Sequence, residues 1–171
     1  MGILVCGLNG SGKSTLGRAL AAALRLRFLD SEDLYFPDGR FDAPRTREEF
    51  LAALDAATRE GDFVFASVKG NGVQALRERI SLAIWVDAPR ETRLQRVRER
   101  SFRRFGERML PGGDLHAAEE QFFAQVASRS DEEMRAWAAQ LPWPVLRVDG
   151  TRPVQALVPE ICTWISETTG L

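Results

Sequence analysis

Apolar runs of strand length alternate with helix-period segments along this chain of 171 residues. That alternation points to an α/β fold, a three-layer α/β/α sandwich on a five-stranded parallel sheet. Two further features agree. Most of the strand-length runs are apolar at consecutive positions, as strands covered on both faces are. Each is followed by a turn and then a helix, the crossover that parallel neighbours require.

The elements follow in order. Residues 3–6, Ile-Leu-Val-Cys, read as a buried first strand, and residues 15–25 as a helix with Leu16, Ala19, Leu20, Ala23 and Leu24 on one face. Residues 27–30 are a short second strand, and 36–45 a loop of Pro, Gly and Asp. A helix covers 46–59, with Thr46 as cap and Glu49 three residues on, the capping-box spacing. Gly61 ends it, the third strand is 63–68, a short helix covers 73–79, and the fourth strand is 82–87. Pro89 opens the next helix, where its fixed φ and missing donor do no harm, and that helix runs to residue 104. Residues 105–115 are glycine-rich and irregular, and a long helix is expected over 116–141, broken near Ser130. Residues 145–148 are the fifth strand and 154–167 the last helix. Right-handed crossovers put every loop that follows a strand on one edge of the sheet. Residues 7–13, 30–33, 69–72 and 149–152 should therefore converge on one cleft.

The first of those loops carries the chemistry. Gly7-Leu8-Asn9-Gly10-Ser11-Gly12-Lys13-Ser14 fits G-x-x-x-x-G-K-[ST], between a strand and a helix. Glycines let backbone amides close around phosphates, Lys13 offers a point charge to the β/γ-phosphates, and Ser14 offers a hydroxyl to Mg²⁺. The helix dipole adds positive potential at the same point. A P-loop NTPase fold follows, with Gly7, Asn9, Gly10, Ser11, Gly12, Lys13, Ser14 and Thr15 as the nucleotide cradle.

Composition narrows the setting. Hydrophobic content of 44% and charged content of 27% suit one domain over residues 1–171, and the net charge of -1 gives no reason to expect a nucleic-acid or membrane partner. No apolar run is long enough to span a bilayer. Cys6 and Cys162 fall in expected core elements with no metal or disulfide spacing, which favours a reducing cytoplasm. His116 is the only histidine, which argues against a His-based catalytic system. Of 23 basic residues all but Lys13 and Lys69 are arginine. A chain that uses arginine nearly everywhere makes its second lysine a candidate functional residue, set against the reading of a leftover surface lysine.

The other loops supply candidates around the P-loop. The second strand ends in Asp30-Ser31-Glu32-Asp33, three carboxylates close to the phosphates. An acceptor hydroxyl needs a carboxylate to orient or deprotonate it, and Mg²⁺ takes anionic oxygens, often through water. Asp30 is the first choice for both roles, ahead of Glu32 and Asp33, and at least one of the three caps the next turn. The third strand lacks the Asp-Glu ending of motor ATPases and AAA-type machines and runs instead into Lys69-Gly70-Asn71-Gly72, where Lys69, Gly70 and Asn71 can meet an acceptor. Arg96 and Arg100 follow Arg93 on one helix face, and Arg103, Arg104 and Arg108 continue into a glycine-hinged lid over residues 101–116. Such a flap can close over a triphosphate and neutralise charge on the transferred group, while a solvated arginine-rich helix is the plainer alternative. Gly150, Thr151 and Arg152 lie in the turn after the fifth strand, where a base can pack.

Taken together, the chain resembles the small P-loop kinases typified by adenylate, shikimate and gluconate kinases. The resemblance rests on the P-loop, on Val86-Asp87-Ala88-Pro89 followed by Arg96-Val97-Arg98-Glu99-Arg100, and on Asp30 and Glu32 in place of a D-x-D. It implies that Arg96 and Arg100 contact ATP phosphates and that residues 150–152 sit by the adenine. The third-strand loop departs from the D-G-x-P-R of nucleoside monophosphate kinases, so the resemblance does not name the acceptor. The expectation is a cytoplasmic, Mg²⁺- and ATP-dependent phosphotransferase acting on a hydroxyl or phosphate of a small molecule, with oligomeric state open. Lys13, Asp30, Arg96, Arg100 and Arg104 are its catalytic candidates. Asp30, Glu32, Asp33, Lys69, Gly70, Asn71 and Arg108 are its acceptor-site candidates. A nucleotide-binding regulator with no acceptor is the competing class, and a nucleic-acid kinase a minor third.

Overall fold

The computed structural model describes residues 1–37, 43–70 and 72–170. Its centre is β1 (Gly2–Cys6), flanked by β3 (Phe63–Ser67) and β4 (Ile80–Asp87). β2 (Arg27–Asp30) and β5 (Val145–Asp149) complete a sheet of order β2-β3-β1-β4-β5 in which every pairing is parallel. The register sets Cys6 beside Ser67 and Trp85, and Asp30 beside Ala66, so the strands end together along one edge.

Alternation within β1 feeds both faces. Ile3 and Val5 turn to the layer of α1 (Lys13–Leu24) and α7 (Val154–Thr169), where Leu16, Leu20, Leu157 and Ile161 are buried. Leu4 and Cys6 turn to the opposite layer, with Phe50 and Leu54 of α3 (Arg47–Thr58) and Met134 and Ala138 of α6 (Asp131–Ala138). Each such fully buried Leu or Ile contributes roughly 1.5–3 kcal/mol, which fixes the sheet rigidly beneath the loops at its edge. Thr46 caps α3 as its spacing implied: its side chain accepts from the Glu49 amide, and the Glu49 carboxylate accepts from the Thr46 amide at 2.8 Å.

Local differences from the sequence reading have physical causes. Residues 31–35 form a short helix, α2 (Ser31–Tyr35), because Asp30 caps it by accepting from the Glu32 amide at 2.9 Å. Only residues 74–76 of the expected 73–79 helix are helical, as a single 3₁₀ turn. α4 (Arg90–Phe105) continues into a 3₁₀ turn over 106–109. The break expected near Ser130 in the helical stretch 116–141 is present: it divides α5 (His116–Ala127) from α6, which Ser130 caps by accepting from the Glu133 amide at 3.1 Å. Val97, Met109, Phe123 and Val126 form a small separate core where α4 meets α5. No helix among the described residues is long and apolar enough to cross a membrane.

Candidate active site

The phosphate loop is shaped by close packing from below. Gly10 has φ 81°, and a Cβ there would stand 2.2 Å from the Arg93 carbonyl oxygen. Only glycine lets the loop rest on the first turn of α4. Gly150, in the turn after β5, is equally confined: a Cβ would stand 2.3 Å from the Ser11 carbonyl oxygen. α1 then begins at Lys13 with no side-chain cap and no acidic residue in its first turn. Its first amides have no intrahelical partner, which leaves a positive helix end for an anion. Asn9 Oδ1 and Ser11 Oγ are buried without a hydrogen-bond partner among the described residues. The Ser11 hydroxyl and the free amides of an uncapped helix start can donate to a polyphosphate, while Asn9 Oδ1 can only accept.

Lys13 is buried at the centre of this arrangement, while Ser14 is half-buried and Thr15 exposed. Burial pulls its ammonium below the ordinary lysine range; Asp30 and Glu32 oppose that shift, and Arg100 and Arg129 add to it. Lys13 therefore feels two carboxylates and two guanidinium groups. Of the loops expected to converge, 7–13 and 149–152 meet directly, Gly150 against the Ser11 carbonyl, and residues 30–33 act electrostatically on Lys13. Burial and then the neighbouring Asp30 push the Asp33 carboxyl up, against Arg18. Asp30 is buried and gives one oxygen to the α2 cap, leaving the other available.

Arg129 was not anticipated from the sequence. It lies in the connection between α5 and α6, is half-buried, and makes no ion pair or side-chain hydrogen bond among the described residues. Burial lowers its pKa. A desolvated guanidinium that repels a buried lysine is costly unless an anion joins them. The available signal was a lone arginine between Ser128 and Ser130, at a helix break that the sequence did indicate.

The remaining candidates are placed as follows. Arg96 donates to the Gly150 carbonyl at 2.9 Å and to those of Gly10 and Ser11 at 3.4 Å, so it binds the P-loop to the β5–α7 turn. Arg104 stacks on Phe105 at 5.3 Å, and Arg103 is exposed. Arg108 forms a two-bonded pair with Asp114, 3.0 and 2.6 Å, which holds the Asp114 carboxyl below the usual range and neutralises the Arg108 charge locally. Lys69 is paired with Glu133 of α6 at 3.0 Å, and Gly70 is exposed with φ 73°. Asn71 lies outside the described residues. Thr151 donates to Asp149 through its amide at 2.8 Å and its hydroxyl at 2.7 Å, and Arg152 is paired with Glu160. A cavity of about 530 Å³ opens elsewhere, beside Asp87, Asp131, Arg135 and Arg147. Two of its charges, Arg147 and Asp87, are paired with each other.

Comparison with known proteins identifies the family. A family model described as "AAA domain" matches residues 3–108, from the first strand through the phosphate loop and α4. A shikimate kinase of Symbiobacterium thermophilum is 35% identical over 74% of this chain and 83% of its own length. The chain belongs to the AAA-domain family and is a small P-loop kinase. An uncharacterized protein of Bacillus subtilis, YqaC, is 29% identical over 96% of this chain and 97% of its own. Among solved structures, the shikimate kinase of Aquifex aeolicus superposes with a TM-score of 0.60 over 99% of this chain and 98% of that one, at 18% identity. That last likeness speaks for the fold alone. The kinase assignment and the missing acid after β3 are consistent: β3 closes on buried Ser67, with no Asp-Glu pair there.

Proposed function

We propose that the protein transfers the γ-phosphoryl group of ATP to a hydroxyl of a small molecule, in the cytoplasm and with Mg²⁺. The observation that carries this reading is a buried Lys13 at the start of an uncapped helix, on which the carboxylates of Asp30 and Glu32 and the guanidinium groups of Arg100 and Arg129 all act electrostatically. Cations gather where phosphates go, and carboxylates where a hydroxyl must be oriented and relieved of its proton. In the proposed mechanism the P-loop amides and Lys13 hold the β- and γ-phosphates. Arg100 and Arg129 oppose the charge that spreads over the transferred group. The free oxygen of Asp30 accepts the acceptor's proton, while Glu32 and Asp33 bind its other hydroxyls. Lys69 reaches an anionic substituent when it exchanges Glu133 for the ligand. Mg²⁺, when bound, would neutralise charge between the phosphates; the Ser14 hydroxyl and, through water, Asp30 are the residues to hold it. Among the described residues no group of three acidic, His or Cys side chains forms a metal cage, which suits an ion carried mainly by the nucleotide.

The test is a panel of hydroxylated and phosphorylated metabolites, with ADP release as the readout. The expected result is transfer to at least one acceptor, abolished by Lys13→Ala with the fold retained. Tight ATP binding with no transfer across the panel would overturn the proposal in favour of a nucleotide-dependent regulator.

A further inference from the structure

Arg93 is 1% exposed, in the first turn of α4. Its Nε donates to the Ala88 carbonyl at 3.1 Å and its Nη2 to Asp131 at 2.5 Å, while Nη1 finds no partner among the described residues. A buried guanidinium with one unanswered nitrogen is a poor stabilising device; apolar residues of similar volume commonly do as well or better. Its geometry gives it another use. Asp131 opens α6, two residues after Arg129. On the other side of Arg129, Arg90 donates to the carbonyl of Ala127, the last residue of α5, at 2.7 Å. The first turn of α4 therefore grips the α5–α6 connection on both sides of Arg129. The same turn touches the P-loop, because Gly10 rests on the Arg93 carbonyl.

We infer that Arg93 and Asp131, assisted by Arg90, are positioning residues that set Arg129 against the γ-phosphate. The inference rests on the phosphotransfer reading above. Displacement of a reacting group by about 1 Å can cost a hundredfold, so a two-sided anchor on a long, flexible side chain's backbone is a substantial device.

The test is calorimetric titration with ADP and with the non-hydrolysable AMP-PNP, both with Mg²⁺. Arg129→Ala is expected to weaken AMP-PNP about tenfold or more and to leave ADP unchanged. Replacing the pair together, Arg93→Met with Asp131→Ala, removes the buried charge as well as its partner and should fold. It is expected to reproduce the Arg129→Ala pattern and to add nothing in the Arg129→Ala background. Arg90→Ala, at an exposed position, is a second arm that does not depend on the buried pair and should move AMP-PNP in the same direction by a smaller factor. Equal losses for ADP and AMP-PNP, an additive loss with Arg129→Ala, or unchanged AMP-PNP affinity in both arms overturns the inference. If Arg129→Ala itself leaves AMP-PNP unchanged, the role given to Arg129 fails. If the unmodified protein binds neither nucleotide, the phosphotransfer reading fails and this inference with it.

Discussion

Helix α4 has two halves that look alike in sequence and differ in the structure. In its first half Arg90, Arg93 and Arg96 are all committed: to the Ala127 carbonyl, to Ala88 and Asp131, and to three carbonyls around the P-loop. In its second half Arg100 and Arg103 are exposed and have no hydrogen-bonded partner among the described residues, although Arg100 acts electrostatically on Lys13. The difference teaches that one residue type serves as scaffold or as ligand-seeking charge according to what its stem is buried in. The first half is tied to protein groups, Arg96 at the phosphate loop itself. In the second half Arg98 pairs with Glu120 and stacks on Phe123, while Arg100, unpaired among the described residues, is felt at Lys13.

Substitutions can break or sharpen that contrast. The largest effect belongs to the charge that both halves surround: Lys13→Ala should lower the transfer rate about 100- to 1,000-fold, measured once an acceptor is in hand, with an unfolding midpoint close to the parent's. Next, Arg93→Ala should destabilise the fold by roughly 3 kcal/mol in urea unfolding, whereas Arg103→Ala should stay within about 0.5 kcal/mol. Equal values would erase the distinction between the halves. Arg100→Ala should reverse that pattern, with a rate loss of about tenfold or more and an unchanged unfolding midpoint. A smaller effect concerns protons. The Lys13 pKa is held below its unfolded value of 10.5, so between the two values the unfolded chain binds the extra proton and stability rises with pH. A polyphosphate reverses the shift, so ATP binding at alkaline pH should take up protons, read as a dependence of the binding heat on buffer ionisation enthalpy. The smallest expected response is that of Cys6, whose burial pushes its thiol up to about 12. A thiol reagent at pH 8 should leave Cys6 unmodified in the native protein and modify it after unfolding. The folding stability tied to that thiol is present below pH 9 and is lost as pH rises toward 12.

Much of this was readable beforehand, for reasons specific to each element. The strands were legible because β1, β3 and β4 are apolar at nearly every position. The P-loop was legible because its spacing is a mechanism in itself, and α3 because Thr46 and Glu49 announce a cap. α2 was hidden because Asp30-Ser31-Glu32-Asp33 reads both as a carboxylate cluster and as a helix start, and it is both. Arg129 was hidden because nothing local marks a residue that a long crossover brings back to Lys13. The partners of Arg96 are backbone carbonyls, which have no sequence signature at all, and the pairing of Lys69 with Glu133 joins residues on β3's loop and α6 that only the fold brings together.

The place of β1 in the sheet has a consequence during synthesis. The strand that carries the P-loop leaves the ribosome first of the five, yet its two neighbours are β3 and β4, which start at residues 63 and 80. At translation rates of about 5–20 residues per second, Ile3, Leu4 and Val5 wait several seconds with both edges unpaired. Nothing in the nascent chain before β3 can close that sheet. The first strand made is thus among the last to be secured, and a pause in translation before residue 80 would extend the interval in which its apolar backbone edge is open to other chains.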